Sequence, residues 1–340
     1  MKKKNHKLIV MAAAILLTIT FAGCEEKKYI DEPGNLVNKT VDQDLSLPSI
    51  TVNGAMLHSE AFGNPDGTMI VGIHGGPGGD YRYMLNLKDL ADYGYRVVFY
   101  DQIGSGLSER FSKRSFTELG TGALDMIYDE LSGVIAHYRT SPNQKVFLIG
   151  HSWGAILATA YAGKHPDAVQ GLAIAEPGGL KWEDVVEFVK KTRSFNLWGE
   201  LLNDATYIDQ FITGREDQHA ILDYKLAMLA SKNDITGDND TKPGSIWRPG
   251  AVMNSALFEM AQQYKPDFSE GISNFNVPVL FFYSENDKGY PDDWADKISV
   301  VYNQVELWKV PGTGHNGIVR DKKAWEETTL PRMLSYFNSL

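Results

Sequence analysis

The 340-residue sequence contains one cysteine, Cys24, so no disulfide can form within the chain. It has no H-E-x-x-H and no cysteine cluster, which leaves no metal-ligand spacing to read. It also lacks G-x-x-x-x-G-K-[ST], and G-x-G-x-x-G running straight into a helix, so the common phosphate-binding loops are excluded. Basic residues are in deficit, with 33 Lys and Arg against 43 Asp and Glu and a formal net charge of −10. Four of the lysines (Lys2, Lys3, Lys4 and Lys7) fall in the first 24 residues, which hold no acid, so the remainder is more acidic still. Such a surface repels phosphates, and no basic run with interleaved aromatics occurs; nucleic-acid binding is excluded. Internal repeats and low-complexity tracts are missing as well.

No apolar run reaches the roughly 20 residues that span a bilayer. The longest, Leu8 to Ala22, follows the lysine-rich start and is followed by Gly23 and Cys24, which is the pattern of an export signal. Phe21-Ala22-Gly23-Cys24 resembles the lipobox of bacterial lipoproteins, in which the cysteine is acylated and becomes the new amino terminus. That resemblance implies a signal peptide over 1–23 and an exported protein lipid-anchored at Cys24, on the periplasmic side or the cell surface. Acyl chains contribute about 0.8 kcal/mol per buried CH₂, so two or three hold a protein on a membrane without a spanning helix. The polar, aperiodic stretch 24–47 is expected to be a tether.

Beyond residue 48 the pattern is that of an α/β protein. Ser49–Val52 and Ala55–Phe62 flank Asn53-Gly54, a hairpin signal. Continuous apolar runs at Met69–Ile73, Tyr95–Tyr100 and Val146–Ile149 read as strands buried on both faces, and the run at Ala168–Ala175 reads as a fourth. They alternate with helical runs at Met84–Tyr93, Leu124–Tyr138 and Ala155–Ala162, which predicts a mostly parallel twisted sheet with helices on both faces. Between 181 and 265 the alternation stops. Helical stretches at Trp182–Thr192, Leu201–Phe211, His219–Ala230 and Met253–Tyr264 predict an inserted helical cap over the carboxyl ends of the strands. Strand signals resume at Val277–Tyr283 and Val305–Val310, so the core is expected over 48–180 and 266–340.

The chain is organised around Gly150-His151-Ser152-Trp153-Gly154, which joins an apolar strand to a helix. A serine between two such glycines at that junction is the G-x-S-x-G elbow, a sharp turn that leaves the hydroxyl exposed. A serine hydroxyl needs a base, and the base needs a carboxylate to orient it. Asp287 and His315 each follow a late strand, and the order serine, acid, histidine matches that of α/β-hydrolases. Asp287 is favoured as the acid over Glu285, Asp292 and Asp293; Glu176, just past an earlier strand, stands where some hydrolases carry theirs. Trp153, directly after the serine, supplies one oxyanion donor by position. The second is expected from His74-Gly75-Gly76-Pro77-Gly78-Gly79, at Gly76 with Gly75 behind it. His74 is expected to brace that loop and His151 to be a packing residue.

HGGPGG at 74–79, DQIGSG at 101–106, GHSWG at 150–154, Asp287 and PGTGH at 311–315 together resemble the prolyl iminopeptidase family of α/β-hydrolases. The resemblance implies the α/β-hydrolase fold, a Ser152 nucleophile, a His315 base oriented by Asp287, and an oxyanion hole of Gly76 and Trp153. It further implies release of an amino-terminal residue, often proline, from short peptides, with carboxylates gripping the free amine. Glu176 is the candidate for that grip. Ile103 stands where the family has arginine, and the cap holds 13 acidic and 10 basic residues, a weak bias for a cation. An esterase or small-amide hydrolase with the same machinery is the alternative, and a non-catalytic binding protein on the same fold a third. Acyl transfer needs only side chains and water, so neither metal nor cofactor is expected.

Overall fold

The computed structural model describes residues 37–192, 218–229, 235–238 and 247–340. The export signal, Cys24 and the expected helix at 201–211 lie outside the described residues.

Eight strands form one sheet in the order β1-β2-β4-β3-β5-β6-β7-β8. They are β1 (Ser49–Val52), β2 (Ala55–Phe62), β3 (Met69–Ile73), β4 (Arg96–Tyr100), β5 (Val146–His151), β6 (Gly171–Ala175), β7 (Val279–Ser284) and β8 (Val305–Val310). The hairpin β1–β2 pairs antiparallel to itself and to β4; every other pairing is parallel. Asn53 and Gly54 both take positive φ, as the tight turn between β1 and β2 requires.

The inner strands are apolar except at their ends, where Arg96, His151 and Ser284 stand, because both faces are covered. In β7, Val279 and Phe281 belong to the cluster on one face, and Leu280 and Phe282 to the cluster on the other. Burying one such side chain contributes about 1.5–3 kcal/mol, so this alternation is what a parallel sheet demands of its sequence. The first face is covered by α1 (Gly122–Tyr138) and α2 (Trp153–Lys164). On the second lie a 3₁₀-helix at Tyr81–Tyr93, where an α-helix was expected, and the carboxyl-terminal Trp325–Phe337 segment.

The register sets where the chemistry can occur. Ile73 pairs with Gly150, His151 with Ala175, Ala175 with Phe282 and Ser284 with Val310. The carboxyl ends of five neighbouring strands, β3, β5, β6, β7 and β8, therefore form one row. With strands about 4.8 Å apart, the loops leaving them converge along a single edge.

The insertion contributes α3 (Trp182–Thr192), α4 (Gln218–Leu229) and α5 (Ala251–Tyr264) among the described residues. Its entry and exit are stitched together: Lys181 bridges Asp267, and the Phe268 N–H donates to the Leu180 carbonyl at 2.7 Å. A buried cluster ties it to the core. Asp223 of α4 accepts from Arg248 Nε at 2.7 Å, from Arg110 Nε at 3.0 Å and from the Ala251 N–H at the start of α5. Arg110 in turn donates to the carbonyls of Ser105, Gly106 and Ser108 in the loop after β4.

The tether expected over 24–47 is too long at its carboxyl end. Thr40 and Val41 are buried, the Val41 N–H donates to the Leu107 carbonyl at 2.8 Å, and the Asn38 carbonyl accepts from Arg248. Polar composition hid two anchoring residues that have no periodic neighbours.

Candidate active site

Ser152 sits between β5 and α2 with φ 56° and ψ −121°, a conformation that costs a non-glycine residue about 1–3 kcal/mol. The flanking glycines make it possible. A Cβ at Gly154 would collide with the main chain of Ile73, and one at Gly150 with the main chain of Gly154. The Ser152 N–H donates to the Ala175 carbonyl at 2.8 Å, pinning the turn to the end of β6.

At the next strand end Glu176 also has a positive φ, 44°, and its side chain is fully buried. Its Oε1 accepts from both the N–H and the hydroxyl of Ser284, each at 2.6 Å, and its Oε2 lies 2.5 Å from His315 Nδ1. Asp287 Oδ2 lies 3.6 Å from the same nitrogen. The sequence favoured Asp287 as the histidine's partner; the structure gives the hydrogen bond to Glu176. The physical reason is reach: the longer Glu side chain, locked by Ser284, arrives at Nδ1 from β6, while Asp287 spends Oδ1 on the Gly289 N–H at 2.7 Å. The expected amine-gripping role does not fit Glu176, because its carboxylate is fully buried and both oxygens are spent on Ser284 and His315.

Burial disfavours the charged form of His315, but the Glu176 hydrogen bond and the charges of Glu176, Asp287 and Asp238 outweigh it and lift the imidazole to about 9. Asp287 is pushed up to about 7, first by burial and then by the Glu176 charge, against the pull of His315. A proton on Nδ1 directed at Glu176 leaves Nε2 as the basic nitrogen. Ser152 Oγ and His315 Nε2 share no hydrogen bond; such contacts tighten when substrate is bound. The donor atoms of Glu176, Asp287 and His315 lie within 4.8 Å of one another. The hydrogen on Nδ1 occupies the lone pair a metal would use, so the trio suits proton handling.

His151, expected as packing, is buried but has a polar task. The Gly75 N–H donates to the Tyr83 hydroxyl at 2.7 Å, that hydroxyl reaches His151 Nδ1 at 2.9 Å, and His151 Nε2 reaches the His315 carbonyl at 2.8 Å. One hydroxyl proton fixes the direction of the whole chain, which makes His151 a neutral donor to the His315 main chain. Burial, and then the charge of His315, hold His151 well below its usual range. The Gly75 N–H, expected behind Gly76, is thereby spent on Tyr83 and is not available to a ligand. Gly76 and Trp153 line the cleft beside Ser152, and their main-chain N–H groups donate to nothing among the described residues.

His74 braces the loop as expected. The Gln102 N–H donates to His74 Nε2 at 3.0 Å, which leaves the Nδ1 hydrogen for the Gly75 carbonyl at 2.8 Å. Gln102 also accepts from the Trp153 indole at 2.9 Å and donates to the His74 carbonyl. The glutamine of DQIGSG thus couples the two segments that carry the candidate oxyanion donors. The sequence offered the motif without its role, because the partners lie 28 and 51 positions away.

The cleft at Ser152 holds about 160 Å³. Trp182, Val185, Phe188 and Val189 of α3 and Leu257, Phe258 and Met260 of α5 wall it, with Phe268 beside them. Its polar lining beyond Ser152 is Thr192, bonded to the Phe188 carbonyl, and Asn254, bonded to the Pro77 carbonyl. No acidic or basic side chain lines it among the described residues.

The profile of the α/β hydrolase fold matches residues 68–321, about three quarters of the chain. The chain belongs to the α/β-hydrolase fold family. It is 41% identical over 109 residues to a proline iminopeptidase of Thermoplasma volcanium, a match covering 32% of this chain and 33% of that one. It is 27% identical over 284 residues to the proline iminopeptidase PfmaB of Pestalotiopsis fici, covering 78% of this chain and 92% of that one. The first similarity thus spans about a third of its relative's length. Among solved structures, a proline iminopeptidase of Mycobacterium smegmatis superposes with a TM-score of 0.56 at 16% identity, over 85% of this chain and 97% of that one. This α/β-hydrolase carries the nucleophile-elbow geometry and a histidine–carboxylate pair on the strand-end row of its fold.

Proposed function

We propose that the protein is a serine hydrolase that releases an amino-terminal residue of the proline type from short peptides through an acyl-enzyme on Ser152. The observation carrying it is the row of strand ends, which presents a strained serine, two unspent N–H donors and a histidine held by a carboxylate. Ser152 Oγ attacks the carbonyl carbon and its proton passes to His315 Nε2. The oxyanion is met by the N–H groups of Gly76 and Trp153, each donor contributing about 3–4 kcal/mol in the transition state. The proton then moves to the leaving amine, the acyl–serine bond remains, and a water activated by the same histidine releases the acid and restores the hydroxyl. Peptide release is supported by the recurrence of proline iminopeptidases among the similar proteins.

Hydrolysis of apolar acyl esters is the second reading, favoured by the uncharged cleft wall around Ser152. Turnover of a proline arylamide should exceed that of short acyl esters by at least about tenfold in kcat/KM; the reverse order establishes the esterase. The anchor is part of the proposal, resting on Phe21-Ala22-Gly23-Cys24. Intact-mass analysis of protein from bacterial membranes should show a chain starting at an acylated Cys24, and an unmodified Cys24 removes the anchor and leaves the hydrolase reading untouched.

A further inference from the structure

We propose that the cavity beside the β1–β2 turn is a second ligand site, separate from the Ser152 cleft, for a small organic cation. Its ammonium or guanidinium group would meet Glu130, and a short apolar tail would fill the rest. The cavity holds about 240 Å³, and Glu130 of α1 lines it together with Asn53 and Gly54 of the turn. Ile103, Phe111, Phe116 and Met126 supply apolar wall, and no residue lining this cavity also lines the Ser152 cleft. An apolar chamber with one convergent polar group is the usual form of a small-molecule site.

The chemistry of the ligand follows from Glu130. Its side chain is buried, Oε2 accepts from the Ile103 N–H at 2.9 Å, and Oε1 has no hydrogen-bond partner among the described residues. A buried carboxylate oxygen left unpaired carries the full desolvation cost, and a charged donor offsets it better than a neutral one. No basic side chain lines the cavity among the described residues, so that donor has to be supplied by a ligand. Phe111 and Phe116 meet edge to face in the wall, with centroids 6.5 Å apart, and such rings accommodate an alkyl tail or the cation itself. The formal charge of −10 draws cations rather than anions to the entrance.

The charged groups on the surrounding elements are occupied. Lys113 pairs with Glu259 at 2.5 Å, Arg114 with Glu118 at 2.5 Å, and Asp125 of α1 with Lys164. Glu109 accepts from the Met56 N–H of β2 at 2.9 Å. Tyr100 of β4 faces Glu130 and is kept neutral by burial; behind it, the Tyr161 hydroxyl of α2 is bonded to Ser132. Burial also pushes Glu130 up to about 8, against the pull of the Ile103 N–H. A bound cation favours the ionised carboxyl, so binding takes up the anion and tightens as pH rises through about 8.

Calorimetric titration of the full chain with n-butylguanidinium and with n-butylurea, its neutral analogue of the same shape, tests the proposal. The guanidinium should bind at least about tenfold more tightly, as expected for a hydrogen bond between charged groups. Its affinity should climb by about tenfold between about pH 7 and pH 9, while that of the urea does not. Glu130→Gln keeps an acceptor for the Ile103 N–H and should reduce the preference for the cation to less than about twofold. Ile103→Arg puts a guanidinium of the chain's own beside Glu130 and should abolish binding of the free one. Equal affinity for the two probes, no binding of either, or a preference that survives Glu130→Gln overturns the proposal. If Ile103→Arg does not fold, the Glu130→Gln comparison decides. The outcome is independent of the serine-hydrolase reading, because the two sites share no lining residue.

Discussion

Ser152→Ala should lower turnover by about 10⁶-fold and abolish fluorophosphonate labelling, while the thermal midpoint stays within a few degrees of wild type. The size follows from what is removed. No other hydroxyl stands at the elbow, and His315 without an oxygen to deprotonate can only activate water from the wrong place. Stability should hold, because alanine keeps the same strained φ of 56° and the serine side chain has no hydrogen bond to lose among the described residues. Replacement by glycine, which accepts that conformation, should raise the midpoint with the same loss of turnover. Retention of more than about a thousandth of wild-type activity in Ser152→Ala would mean that another group performs the attack.

Asp223→Ala should destabilise the fold by about 3–5 kcal/mol, the largest stability effect expected of a single substitution outside the sheet. Asp223 and Arg248 are both fully buried, and Arg110 reaches the same carboxylate oxygen as Arg248. Removing the anion takes away the buried carboxylate that both guanidinium groups share. It also takes the acceptor from the Ala251 N–H at the start of α5, whose side chains wall the cleft. The urea midpoint reads the loss, and KM should rise alongside it because α5 and the loop after β4 are held by the same carboxylate. An unchanged midpoint would show that the buried pair is replaceable at no cost.

Much of this architecture was legible in the amino-acid order. Continuous apolar runs fix β3 to β7 because a parallel sheet buries both faces, the edge strand β8 keeps Glu306 and Lys309 in its run, and α1, α2, α3, α4 and α5 begin and end within a few residues of their periodic signals. Ser152, Gly76, Trp153 and His315 fall at the strand ends where the motifs put them. The Met84–Tyr93 run reads as helical, and the structure makes Tyr81–Tyr93 a 3₁₀-helix. Spacing alone does not separate the two, since both bring residues three apart onto one face.

The acid beside His315 is where local reading failed. Glu176 and Asp287 each follow a strand that ends on the same row, and nothing in either neighbourhood says which carboxylate reaches Nδ1 first. Ser284 decides it by donating its N–H and its hydroxyl to Glu176 Oε1, from 108 positions away. Gln102, Tyr83 and His151 were hidden for the same reason: a hydrogen bond between distant segments has no period and leaves no local signature. No helix among the described residues is long and apolar enough to cross a membrane.

The sequence by itself determined the candidate nucleophile, its candidate base and the fold that displays them, because steric demands at a glycine-flanked turn and burial on two sheet faces act on neighbouring residues. Only the tertiary structure decided which carboxylate holds the histidine, which glycine N–H stays unspent and what walls the cleft. Those depend on where strand register and the insertion bring side chains together, and a difference of one ångström at Nδ1 separates a hydrogen bond from a spare charge.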